Sequence, residues 1–290
     1  MITKDFTKLD SQYTFKYMGL INRSPAIQPS RNPLAGSSSS LLMRDIYDKA
    51  LRLSELDNCI IIIGEIDSGK KTLAQFIHRH SKRKEWPFHV FYCIDIDESE
   101  YKDAFWEHIQ IENSHIVLTY DAIEKAASGF LYLDQFSEIK EQFMLDIISA
   151  YQQGCKQLYR YNQTLIPRLV ISINHESYQK ITNSRIWGRL LELLNPNTIM
   201  LPPLRERRED IPDMIQYFLA AIRRTSEEMK DVNISDSANE ACYNYNWPGN
   251  ILQLKNALMH GALVSNGGII EVHHLPFSSN WSLPYKIGKD

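Results

Sequence analysis

Five short apolar runs recur through the middle of the chain: Cys59–Ile63, His89–Ile94, Gly129–Leu133, Leu169–Ile173 and Thr198–Leu201. They are rich in β-branched or aromatic residues and mostly continuous rather than alternating, the pattern of a parallel strand buried on both faces. Stretches with apolar residues at helical spacing separate them, among them Lys71–His80, Ile139–Gln153 and Arg185–Leu194. Ahead of the first run, Ser37–Ser40 offers N-caps for a helix over Leu41–Leu56, with Leu42, Ile46, Ala50 and Leu53 on one face. Strand and helix in alternation predict an α/β, doubly wound fold with a five-stranded parallel sheet.

After Pro212 the pattern changes. Ile211–Met229, Ser235–Tyr245 and Asn250–Val264 read as three helices, and no comparable strand follows. The expected organisation is an irregular leader over 1–36, an α/β core over 37–205, a small all-helical domain over 206–276 and a tail over 277–290. Ser24-Pro25, Gln28-Pro29 and Asn32-Pro33 punctuate the leader.

Composition narrows the function classes. With 43% hydrophobic and 23% charged residues the chain is ordinary for a globular protein, so disorder as the main state is excluded. A net charge of −3 supplies no excess of cations to displace counterions from nucleic acid, so direct DNA binding is not expected. The basic stretch His78-Arg79-His80-Ser81-Lys82-Arg83-Lys84 reads instead as the solvated end of a helix. Cys59, Cys93, Cys155 and Cys242 are scattered without a CxxC pair, which predicts reduced thiols and neither zinc nor haem. The first residues lack an apolar signal core, and Cys59–Ile63 is far too short to cross a bilayer. A cytoplasmic location with no membrane partner is expected.

The first run leads into Gly64-Glu65-Ile66-Asp67-Ser68-Gly69-Lys70-Lys71-Thr72, a G-x-x-x-x-G-K motif between a predicted strand and a predicted helix. Glycines let such a loop curl and aim N–H groups at phosphates, the helix N-terminus adds partial positive charge, and the lysine reaches the β/γ oxygens. Asp67 brings a carboxylate toward those phosphates. Lys71 stands where a Ser or Thr hydroxyl holds Mg²⁺, and Thr72 comes one residue late. The third run ends in Asp134, a candidate Mg²⁺ ligand, followed by Gln135 where a Glu would polarise the attacking water. An amide takes up no proton at neutral pH. The fourth run ends in Asn174, a candidate partner for the γ-phosphate or the water.

Two longer segments are more specific: Leu201-Pro202-Pro203-Leu204-Arg205-Glu206-Arg207-Arg208-Glu209-Asp210-Ile211-Pro212 and Tyr245-Asn246-Trp247-Pro248-Gly249-Asn250-Ile251-Leu252-Gln253-Leu254-Lys255-Asn256. Both closely resemble the AAA+ domain of sigma-54-dependent, NtrC-type bacterial transcription activators. Ile77-His78-Arg79-His80-Ser81, Pro87-Phe88, Asp134 and Gly154 fall at matching spacing, and the resemblance spans about Ala35 to Pro276. It implies a P-loop AAA+ core with a helical lid, ATP with Mg²⁺ as ligands, assembly in homo-oligomeric rings, and protein partners in transcription such as RNA polymerase or a related activator.

The departures from the family pattern are concentrated on its chemistry. The GAFTGA loop that contacts the sigma factor is absent, and Phe105-Trp106-Glu107-His108 is followed by Ile109-Gln110-Ile111-Glu112-Asn113-Ser114-His115. The Walker B Glu is Gln135, the Asn that restrains it falls at Tyr92, and the lid's sensor Arg falls at Leu252. The arginine fingers fall near Trp187 and Leu193, with Arg185 and Arg189 close enough to substitute in a shifted register. The residues after Pro276 are too few for a helix-turn-helix. The expectation is therefore an ATP-binding pseudo-ATPase acting through protein contacts. Its candidate catalytic set is Asp134, Gln135, Asn174 and Arg189, and Gly64, Glu65, Asp67, Ser68, Gly69, Lys70, Lys71 and Thr72 form the nucleotide loop. The alternatives are a slow active ATPase and a nucleotide-independent module that caps a related ring.

Overall fold

The structure is a computed structural model and describes residues 38–93, 108–112, 115–119, 121–161 and 165–277. The leader and most of the tail lie outside the described residues. These residues fall into two compact units, one of Leu41–Glu206 and one that begins at Arg207 and takes in Ser38–Ser40.

The first unit is built on a five-stranded parallel sheet in the order β2-β5-β6-β1-β7, formed by β1 (Ile60–Gly64), β2 (Phe88–Tyr92), β5 (Phe130–Asp134), β6 (Arg168–Asn174) and β7 (Asn197–Met200). All five predicted runs are strands, shifted by a residue at most of their ends. Ile60 to Ile63 are each at most 1% exposed, because helices cover both faces of the central strand. On one face Ile61, Ile63, Leu131, Leu133, Leu169 and Ile171 pack with Met144, Ile147 and Ile148 of α4 (Glu141–Tyr161) and with Trp187 and Leu190 of α6 (Arg185–Leu194). Each such aliphatic side chain contributes about 1.5–3 kcal/mol by leaving water. On the other side α1 (Leu41–Ser54) packs on α2 (Lys70–His80), with the Tyr47 and Phe76 rings 4.8 Å apart.

Two expectations about α1 need correction. Its buried face is Met43, Tyr47, Ala50 and Leu53, whereas Leu42 is exposed. Both stripes have helical spacing, and only the packing partner selects between them. The Ser38 and Ser39 hydroxyls, read as helix caps, instead donate to Asp210 Oδ1 at 2.5 Å and Asp213 Oδ2 at 2.8 Å. Residues 108–119, where the sigma-contacting loop was expected to be replaced, contain an antiparallel pair, β3 (His108–Glu112) and β4 (His115–Thr119), in the register Ile109↔Leu118 and Ile111↔Ile116. Phe105 to Glu107 lie outside the described residues. A short helix α3 (Asp121–Lys125) leads from the hairpin to β5, and α5 (His175–Ile181) follows β6.

The basic stretch after the P-loop is partly structural. His78 is buried, with its Nε2 2.9 Å from the Trp86 carbonyl and its ring 4.9 Å from Phe130. Burial lowers its pKa. Arg83 is spent on Asp57 at 2.9 Å and on the carbonyls of Ser128 and Ile166 at 2.9 and 2.6 Å.

The second unit holds α7 (Ile211–Ile222), α8 (Asp236–Asn244) and α9 (Asn250–Val264). Helices dominate it as expected, but it is not all-helical. Asn233–Ile234 (β8) and Ile269–Ile270 (β9) pair in parallel. Two-residue strands carry too little pattern to be seen in sequence. Trp247 is fully buried at φ 47°, and its Nε1 donates to the Cys242 carbonyl at 2.7 Å. Arg208 donates to the Asn244 carbonyl at 3.0 Å and to Asn246 Oδ1 at 2.7 Å, capping the end of α8.

Among the described residues no helix is long and apolar enough to cross a membrane, and no group of His, Cys, Asp and Glu has metal-binding geometry. The four cysteines are free.

Candidate functional site

The parallel sheet brings the ends of β1, β5 and β6 together, where loops leave the carboxyl edge and ligands of open α/β sheets bind. Gly64 closes β1 opposite Asn174 in the register of β6. A Cβ on Gly64 would meet Ser68 Oγ at 2.8 Å and the Leu201 carbonyl at 3.0 Å, so the turn has no room for a side chain. Gly69, at φ 102°, is the N-cap of α2 and supplies no side-chain cap. The first-turn N–H groups of α2 therefore have no cap that would compete with a phosphate.

Lys70 is only 7% exposed, and its Nζ donates to the carbonyls of Gly64 at 3.0 Å and Glu65 at 2.7 Å. Desolvation lowers its pKa, while Asp134, Asp67, Glu138 and Glu65 push it back up. Glu65 is held by a bidentate pair from Arg205, at 2.9 and 2.6 Å. Arg205, which belongs to the first of the two family-specific segments, thus braces the phosphate loop. Asp67 takes the left-handed conformation at φ 56°. Partial desolvation raises its carboxyl pKa, with Lys70 opposing and Asp134 reinforcing. Ser68 is fully buried beneath the loop.

Asp134 accepts at Oδ1 from the Ser172 hydroxyl at 2.8 Å and from the Tyr132 hydroxyl at 3.1 Å. Ser172 in turn accepts from the Gln135 N–H at 2.8 Å, which fixes Gln135 at φ 54°. Burial and the Asp134 charge push the Tyr132 phenol pKa far up, so it stays a donor. Ser172 and Tyr132 were not singled out in sequence. The available signal was a hydroxyl in the middle of Leu-Val-Ile-Ser-Ile, because a buried hydroxyl needs a partner. Glu138, also missed, lies in the turn after Gln135 and accepts from Ser137 at 3.1 Å and Ser177 at 3.0 Å.

Asn174 acts as a helix cap, its Oδ1 accepting from the Glu176 N–H at 3.3 Å at the start of α5. Lys71 Nζ donates to the Tyr92 hydroxyl at 2.9 Å, and Thr72 follows within the first turn of α2. Arg189 is not gathered into this cluster. It is exposed and bonds Glu192 on its own helix at 3.1 Å. Trp187, at an expected finger position, is 6% exposed and packs edge-on to Tyr178 at 5.6 Å, so it is core. In the second unit Leu252 is exposed on α9.

The family model for the sigma-54 interaction domain matches residues 36–199, and the AAA+ ATPase lid domain matches residues 205–282. The chain belongs to the sigma-54 interaction domain family. It is 29% identical over 231 residues to the Nif-specific regulatory protein of Azotobacter vinelandii, covering 79% of this chain and 44% of that one. It is 31% identical over 218 residues to the transcriptional regulatory protein XylR of Pseudomonas putida, covering 71% of this chain and 37% of that one. This sigma-54 interaction domain chain thus spans about half or less of the length of these curated relatives. The fold is shared with NtrX from Brucella abortus in complex with ADP, at a TM-score of 0.66 and 23% identity over 82% of this chain and 55% of that one. The chain is related to sigma-54-dependent transcription activators.

The loop fits a polyphosphate, with a capless helix N-terminus, a buried lysine and a turn closed at Gly64. It fits Mg²⁺ less well. Asp134 is in place, but the hydroxyl after the P-loop lysine is an ammonium.

Proposed function

We propose that this chain is a transcription-control protein whose AAA+ core binds a nucleoside triphosphate without efficient hydrolysis and acts through protein partners. The domain organisation expected above, a nucleotide-binding core and a lid, belongs to this proposal. The observation that carries it is the asymmetry of the cluster around Lys70. The phosphate-binding half is retained and well braced, while the group beside Asp134 is an amide. General-base assistance supplies about 10²–10⁴-fold in rate, and the charge of an arginine finger about 10³–10⁵. Losing the first and leaving Arg189 on a Glu192 pair supports binding over turnover. Partners on the transcription machinery, RNA polymerase or a related activator, and assembly into a homo-oligomer follow from the family.

Phosphate release from ATP, followed for the wild type and Gln135→Glu, tests this. Wild-type turnover is expected at background, rising by about 10–100-fold in the variant as a proton acceptor is restored. Brisk wild-type turnover abolished by Asp134→Ala would sink the proposal. A second reading, slow turnover with a rewired base, draws on Glu138, whose carboxylate acts electrostatically on Lys70. In that case Glu138→Gln removes the residual rate.

Asp67 gives a pH-dependent expectation. Its pKa is raised in the fold, so the carboxyl binds a proton more readily than in the unfolded chain. Stability from this group therefore falls as pH rises through the carboxylate range, and so does affinity for an anion. Asp67→Asn, which keeps the left-handed conformation, is expected to tighten nucleotide binding on the order of tenfold at neutral pH and to flatten its pH dependence where the carboxyl titrates, above the ordinary carboxylate range. Titrations at several pH values read this directly, and an unchanged profile would remove Asp67 from the site.

A further inference from the structure

Lys71 departs from the general P-loop pattern and Tyr92 from the family's, and the structure puts the two side chains together. The Lys71 Nζ donates to the Tyr92 hydroxyl at 2.9 Å and lies 5.2 Å from the ring centroid. Tyr92 is the register partner of Asp134 across the β2–β5 pair, and the next residue continues that pairing, with the Cys93 N–H donating to the Asp134 carbonyl at 2.9 Å. Neighbouring strands are about 4.8 Å apart. The ammonium is thus tethered to the strand beside the one that carries Asp134, and it departs from the first turn of the phosphate-binding helix. Tyr92 is 52% exposed, so the pair is open to solvent rather than sealed in the core.

In a P-loop site the residue after the lysine gives its hydroxyl to Mg²⁺, and the acidic strand end holds the metal from the other side. Here the first of these ligands is a fixed cation. An ammonium repels Mg²⁺ and offers no lone pair, while it donates up to three hydrogen bonds to phosphate oxygens. On the other side, Asp134 Oδ1 already accepts two hydroxyl donors. The residues match a metal-free polyphosphate better than a chelated one.

We infer that Lys71, positioned by Tyr92, replaces the magnesium ion, so that this chain binds a nucleoside triphosphate independently of Mg²⁺. The inference rests on the nucleotide-binding reading above and specifies the ionic form of its ligand. It also gives the missing hydroxyl a consequence: the charge of the phosphates is met by a side chain instead of a metal ion.

The test is an equilibrium titration of the full chain with a fluorescent ATP analogue, once with excess Mg²⁺ and once with excess EDTA. Wild-type affinity is expected to agree within about threefold between the two. In Lys71→Thr, affinity in EDTA is expected to fall on the order of tenfold or more, with recovery on adding Mg²⁺ to the hydroxyl now present. Tyr92→Phe keeps the ring and removes the tether, and it is expected to weaken EDTA binding by a smaller factor. Thermal melts of both variants check that the fold is intact, and the wild-type comparison stands without either. Wild-type binding lost in EDTA overturns the inference and leaves the nucleotide reading in place. Wild-type binding absent in both buffers overturns the two together.

Discussion

Lys70→Ala is expected to weaken nucleotide binding by about 100-fold or more, about 3 kcal/mol, the scale of removing one charged partner from a desolvated, hydrogen-bonded pair. The size of the effect follows from the environment of the ammonium. Lys70 is nearly inaccessible, and two loop carbonyls hold its Nζ at 2.7 and 3.0 Å, so little of its charge is screened. Its pKa is lowered by burial and restored in part by four carboxylates. A bound polyphosphate would add anionic charge and raise it further. Titration of wild type and variant with a fluorescent ATP analogue measures the ratio. The loss of two donor bonds at the loop is a local event on the surface of the sheet edge, so the thermal midpoint is expected to move by only a few degrees. Affinity unchanged by the substitution would place the nucleotide elsewhere and favour an interaction module in which the AAA+ fold is a scaffold.

The largest stability effect is expected in the second unit. Trp247→Ala should destabilise that unit by about 3–5 kcal/mol, the range for deleting a buried aromatic side chain. Trp247 is fully buried, its ring lies 5.0 Å from Tyr245 and 6.1 Å from Phe277, and its indole N–H satisfies the Cys242 carbonyl. It also sits at φ 47°, a region unfavourable for a bulky residue, so packing must hold the backbone there. Alanine keeps the backbone cost and loses the packing. Asn250, also at positive φ and fully buried, donates its N–H to the Trp247 carbonyl at 2.8 Å, so the start of α9 is expected to loosen with it. Urea denaturation followed by far-ultraviolet circular dichroism, with proteolysis mapping the first cuts to residues after Arg207, checks both the size and the place. A single undisturbed transition would show that the turn tolerates a cavity.

The sequence by itself determined the sheet and the phosphate loop. Four consecutive isoleucines admit little but a strand covered on both faces, and G-x-x-x-x-G-K between such a strand and a helix fixes where phosphate-directed N–H groups emerge. It also determined the loss of chemistry at Gln135, since an amide is an amide in any fold. The bounds expected for α6 and α9 match the structure to the residue. What sequence could not decide were contacts between residues far apart in the chain. The Arg205–Glu65 pair joins positions 140 residues apart, and Ser172 meets Asp134 across 38. Nothing local marks the first, because charges are at home in water, and the hydroxyl within Leu-Val-Ile-Ser-Ile calls for a buried partner without naming it. The buried stripe of α1 was equally open: Leu42 and Met43 both fit a helical repeat, and α2 selected Met43. Lys71 and Tyr92 are the sharpest case. In sequence they are two unrelated departures, one from the P-loop pattern and one from the family's, and only the pairing of β2 with β5, which sets Tyr92 beside Asp134, turns them into one group with a charge in a defined place.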